Sequence, residues 1–186
     1  MNVQPNLRMT KAAFIEWSAT KEERCELVRG RVVMMARPSR AHGMIAMNLA
    51  FLLRTRLDPK RWVVIAEFGL DAGPDTLRYP DIVVDRAGGG EKDYAATATV
   101  LLAEVLSPST AEIDLGDKAA EYLQISSLLA YIVLSQDEPK AWVYARAATG
   151  FTPGPVVIDG TEAIIRIAAL QLDMPMADIY AGIKTD

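Results

Sequence analysis

Between His42 and Leu57, apolar residues return at Ile45, Leu49 and Leu52, steps of four and three that line one face of a helix. Pro59 stands just beyond and bars its continuation, so the pattern predicts an amphipathic helix ending before that proline. A shorter helix is expected between Thr10 and Glu23, where Phe14, Ile15 and Trp17 are set among polar residues. The run CELVRGRVVMM then predicts two strands turning at Gly30. Three apolar runs follow, WVVIAEFGL (62–70), YPDIVVD (79–85) and TVLLAEVL (99–106), divided by turn residues and by AGGG at 87–90. Each reads as a strand, and the third is apolar on both parities, as a central strand covered on both faces must be. Beyond it the pattern predicts a helix from Asp114 to Ile125, strands at 130–135 and 140–146, and shorter strand-like pieces up to Ile167. Strands and helices mixed in this way, without a repeat or a linker, predict one α/β domain over residues 1–186.

Composition narrows the class. The 186 residues are 51% hydrophobic and 24% charged, which excludes a disordered, collagenous or low-complexity chain. The single cysteine, Cys25, cannot form an internal disulfide or a thiolate metal site, and this fits a reducing compartment. No apolar stretch approaches the roughly 20 residues that cross a bilayer, and the start MNVQPNLRMT lacks the layout of a secretory signal. A cytoplasmic protein with no membrane partner is expected. The net charge is −4, yet residues 21–61 hold ten of the twenty basic residues against four acids. That segment is either a solvated surface or a face that contacts phosphates, in which case Arg54 and Arg56 are candidates for binding DNA.

The candidate chemistry lies in the strands. An ionised carboxylate in a buried strand costs several kcal/mol unless a cation or hydrogen-bond donors compensate it. Glu104 interrupts an apolar run and Asp81 precedes another, so adjacent strands would bring two hard oxygen donors to one point, as Mg²⁺ or Mn²⁺ requires. Each acid read alone also fits a turn cap or an arginine partner. Glu67, which interrupts WVVIA, would either join the pair or lie at a sheet edge. Asp114, Lys118 and Tyr122 recur every four residues along one helix face that can look back at Glu104. A metal that polarises a phosphoryl group, with a lysine that stabilises the added charge, is the equipment of phosphodiester hydrolysis. The other reading of Lys118 is an exposed helix pair with Asp114. Ser109 and Glu112 resemble a capping box, which would start the helix earlier.

YPDIVVD, then LLAEVLSPST, then Asp114, Lys118 and Tyr122 followed by AYIVLS resemble the Uma-type restriction endonuclease family of the PD-(D/E)XK nuclease superfamily. The similarity runs from ELVRGRVVMMARPS and His42 to LQLDMPMADIY, nearly the whole chain. It implies a restriction-endonuclease-like α/β core, a mixed β-sheet flanked by helices with the acidic site at its centre. It also implies that Asp81 is the aspartate of the PD motif, that Glu104 is the second metal-binding acid and that Glu26 is a candidate acid from the N-terminal part. The superfamily pattern places a lysine two residues after the glutamate, where this chain has Leu106. In the resembled family a lysine from the next helix takes that role, and Lys118 fits it.

The expectation is therefore a Mg²⁺- or Mn²⁺-dependent endonuclease acting on DNA, with Asp81 and Glu104 as metal ligands and Lys118 as electrostatic catalyst. The alternative is a nuclease-like module without catalysis that serves in binding or assembly. His42, the lone histidine, reads as a helix cap or surface residue, with a phosphate contact or a base near the site as its alternative. Trp17, Trp62 and Trp142 read as core or interface residues. A homodimer is expected because duplex cleavage needs two cuts and one domain offers one site.

Overall fold

The computed structural model describes residues 3–106 and 114–184. Strand β1 (Val3–Arg8) leads into α1 (Lys11–Ser18), whose first turn is capped by the Thr10 hydroxyl accepting from the Ala13 amide. The expected hairpin forms from β2 (Cys25–Val28) and β3 (Arg31–Met34), paired antiparallel. Arg29 and Gly30 both take positive φ, 51° and 74°, as a two-residue hairpin turn demands. Helix α2 (Arg40–Arg56) begins slightly before its apolar pattern because the Ser39 hydroxyl accepts from the His42 amide at 3.1 Å and caps it.

The run 62–70, expected as one strand, is two. Strand β4 (Trp62–Ala66) and β5 (Gly69–Gly73) lie in different sheets, and the chain breaks between them where Glu67 adopts a φ of 52°. Next come β6 (Thr76–Arg78), β7 (Ile82–Arg86), β8 (Ala95–Ala96) and β9 (Leu101–Leu106). A π-helical turn, Asp114–Lys118, runs into α3 (Ala119–Tyr122). The helix expected to reach Ile125 stops at Tyr122, since successive turns there fold the chain so that Leu128 enters the core. The remainder consists of β10 (Ala130–Ser135), β11 (Lys140–Ala147), β12 (Gly150–Phe151), β13 (Val156–Asp159), the hairpin β14 (Ile164–Ile167) and β15 (Leu172–Pro175), and α4 (Met176–Ile179).

Two sheets carry the site. One has the order β1-β3-β2-β6-β5-β8, and the other β12-β11-β10-β9-β7-β4 with β13 also on β11. In the second sheet β9 is central, antiparallel to β7 and parallel to β10, so a crossover containing α3 must return the chain across the sheet. Every residue of β9 is buried, which confirms the reading of its two apolar parities. On one face Ile82, Val84, Leu101, Ala103 and Val105 pack under Ile45, Leu49 and Leu53 of α2. On the other, Val83, Leu102 and Leu106 pack with Ala119 and Tyr122 of α3. Glu104 sits on this second face, under the helix that carries Lys118.

Candidate active site

Two strands set the acids. The register pairs Ile82 with Ala103 and Val83 with Leu102, and Asp81 and Glu104 are the next residues along the chain beyond that pairing. Pro80 precedes Asp81 at the strand entrance and disfavours helical backbone at Tyr79. Asp81 is 8% exposed and Glu104 4%, so both carboxylates must be compensated from within. For Asp81 the Val105 amide donates to Oδ2 at 2.7 Å, while Oδ1 lies 3.0 Å from His42 Nε2. Glu104 Oε1 receives the Lys118 ammonium at 2.9 Å and the Tyr122 hydroxyl at 3.1 Å. Lys118 and Tyr122 therefore do share the helix face that looks at Glu104. Burial first, then the Glu104 and Glu26 charges, push the Tyr122 phenol well above its ordinary pKa, which keeps it a neutral donor.

A second layer of charge lies behind Lys118. Glu26 on β2 is 4% exposed; its Oε1 is 4.0 Å from Lys118 Nζ and accepts from the Tyr79 amide at 3.1 Å. Arg78, the last residue of β6, is 3% exposed and donates through Nη1 to Glu26 Oε2 at 2.9 Å. Its Nε and Nη2 grip both oxygens of Glu121 on α3 at 2.9 and 3.1 Å, a bidentate pair. Burial works against the guanidinium charge, yet the Glu121 hydrogen bonds and the Glu26 charge outweigh it, and Arg78 is held above the usual arginine range.

Among the residues singled out from sequence, the structure brings Glu104, Lys118 and Glu26 together and pairs His42 with Asp81. His42 departs from the expectation of a cap or surface group, because Ser39 is the cap and the imidazole turns inward to Asp81. Glu67 donates its amide to the Asp81 carbonyl, but its side chain is about half exposed and pairs with Arg24 at 3.0 Å. Lys118 is 7% exposed, which removes the reading of an exposed helix pair. The Ser109 and Glu112 capping box lies outside the described residues, as does the side chain of Asp114. Arg54 and Arg56 are exposed near the end of α2, with Arg56 3.4 Å from Asp178. Arg78 and Glu121 were missed. The only signal was an arginine inside the short apolar stretch TLRYP, before the acid.

The buried carboxylates of Asp81 and Glu104 are hard oxygen donors of the kind that suits Mg²⁺ or Mn²⁺. Among the described residues no three His, Cys, Asp or Glu side chains converge to hold an ion. An ion here would complete its shell with main-chain, water or phosphate oxygens, as Mg²⁺ usually does.

The mixed sheets flanked by few helices make a restriction-endonuclease-like fold. The chain belongs to the Uma2 family, described as "Putative restriction endonuclease", whose profile matches residues 12–177. A crystal structure of a protein described as a "putative nuclease", from Anabaena variabilis, superposes with a TM-score of 0.76 at 17% identity, covering 93% of this chain and 98% of that one. The chain is also 26% identical over 133 residues to "Uncharacterized protein sll1609" of Synechocystis, covering 69% of this chain and 75% of that protein. No described helix is long and apolar enough to cross a membrane.

Proposed function

We propose that this protein is an endonuclease that hydrolyses DNA phosphodiester bonds with Mg²⁺ or Mn²⁺ bound by Asp81 and Glu104. The observation that carries this reading is the Lys118 ammonium 2.9 Å from Glu104, which supplies from the helix the cation that Leu106 cannot supply from the strand. When bound, the ion would polarise the phosphoryl group and lower the pKa of an attacking water. The chain's own groups do the rest. Lys118 holds positive charge where the transition state gathers negative charge. Tyr122 donates to Glu104 and fixes the carboxylate's orientation, and His42 with the Val105 amide does the same for Asp81. The substrate would approach from the α2 N-terminus, beside the exposed Arg37 and Arg40, and the protein would work as a single cytoplasmic domain paired with a second copy.

The test is Mn²⁺ binding and Mn²⁺-dependent cleavage of plasmid DNA by the wild type, Asp81→Asn and Glu104→Gln. The expected result is binding and cleavage by the wild type, with binding weakened at least tenfold and cleavage at least a hundredfold in either variant. Cleavage that persists in both variants would exclude the site. A wild type that binds DNA but never cuts it would instead support the non-catalytic module.

A further inference from the structure

Arg78 is one of the most deeply buried charges described, at 3% exposure. Its guanidinium joins elements from opposite layers: Glu26 on β2 at 2.9 Å, and Glu121 on α3 at 2.9 and 3.1 Å. Lys118 stands one turn before Glu121 on the same helical stretch, between two carboxylates. Glu104 is 2.9 Å from its ammonium and Glu26 4.0 Å. Glu26 is thus a second buried acceptor near the ammonium that sits on Glu104. Arg78 and the Tyr79 amide compensate Glu26, so Glu26 is the weaker competitor.

We propose that Arg78 is a positioning residue that assigns the Lys118 ammonium to Glu104: it neutralises Glu26, the rival acceptor, from a place fixed by its bidentate pair with Glu121. Its bearing on catalysis rests on the nuclease reading above; its bearing on where Lys118 points does not. A lysine at position 78 could not replace it, because only the planar guanidinium fork reaches both acids at once.

Two double variants with equal charge separate this role from mere structural support. Arg78→Met/Glu26→Gln removes the arginine together with the rival acceptor. Arg78→Met/Glu121→Gln removes the arginine and leaves Glu26 charged. Crystal structures of both are the first readout. The expected result is Lys118 on Glu104 in the former and on Glu26 in the latter. The second readout is cleavage at saturating Mn²⁺, with kcat at least tenfold lower in the latter than in the former and KM for DNA alike in the two. A third is Mn²⁺ affinity, which rises in the Glu121 variant because Glu104 has lost its ammonium. Lys118 remaining on Glu104 in both variants overturns the proposal, as do equal losses of kcat with folding intact. Should the Glu121 variant not fold, Arg78→Met alone takes its place, with Lys118 expected on Glu26; Lys118 kept on Glu104 in that variant overturns the proposal. If the wild type cuts no DNA, the nuclease reading fails while the crystallographic comparison still tests Arg78.

Discussion

Lys118 lies 7% exposed and its ammonium sits on Glu104, so removing it does more than delete a surface charge. Breaking a buried ion pair costs roughly 3–5 kcal/mol, whereas the exposed helix pair read from sequence would cost only a few tenths. Lys118→Met should therefore lower stability measurably, although Tyr122 continues to donate to Glu104. Saturating Mn²⁺ should return part of that loss, because a ligand that binds only the folded state at ~100 times its Kd adds ~2.7 kcal/mol. Thermal unfolding with and without Mn²⁺ checks this, and a smaller metal-induced shift in the variant than in the wild type would refute it. Asp81 and Glu104 were legible because each stands against an apolar run, and Lys118 because it recurs with Asp114 and Tyr122 every four residues. Arg78 was not, since its partners lie 52 and 43 positions away in sequence. The role of His42 was hidden for the same reason, with 39 positions between it and Asp81.

At the scale of elements, α2 links the site to the basic segment. Its first turn brings His42 to Asp81, while Arg54 is twelve residues further along, about 18 Å at 1.5 Å per residue. The exposed Arg37 and Arg40 are at the near end and Arg54 and Arg56 at the far end. Charge reversal of Arg37 and Arg40 to Glu should thus reduce DNA affinity and its salt slope more than reversal of Arg54 and Arg56. Binding measured from 50 to 200 mM salt tests the order, and a larger effect at the far end would reverse it. The periodicity of α2 and the double-sided burial of β9 made these elements readable. The break at Glu67 was not readable, because the apolar alternation runs on through a residue whose backbone alone, at φ 52°, sends the chain to the other sheet.

For the whole molecule, the class of fold was legible in the mixed order of strands and helices, but the division into two sheets was not, since it depends on that break and on the short strand β6. The same whole-molecule packing carries the C-terminal elements to the core, where the Tyr180 hydroxyl donates to the Ser135 and Lys140 carbonyls at 2.6 and 3.0 Å. Burial, the largest influence, raises the pKa of this phenol above its ordinary value of ~10. A raised pKa in the folded state gives stability that is fully present below the unfolded value and is lost as pH climbs towards the folded one. The wild type should hold its stability up to about pH 10 and lose it above, while Tyr180→Phe, lower throughout for want of its hydrogen bonds, should fall less steeply there. Denaturant unfolding from pH 8 to 11 measures both slopes, and parallel curves would contradict the assignment.

The central claim is that the Lys118 ammonium on Glu104 is the cation of a metal-dependent phosphodiesterase. It is tested most directly by the single-turnover rate of plasmid cleavage at saturating Mn²⁺, compared between the wild type and Lys118→Met at a temperature where both are folded. Losing a group that stabilises transition-state charge lowers the rate by ~10²–10³, so a fall of at least a hundredfold with Mn²⁺ binding retained is the expected result. A variant that cuts at the wild-type rate would contradict the claim.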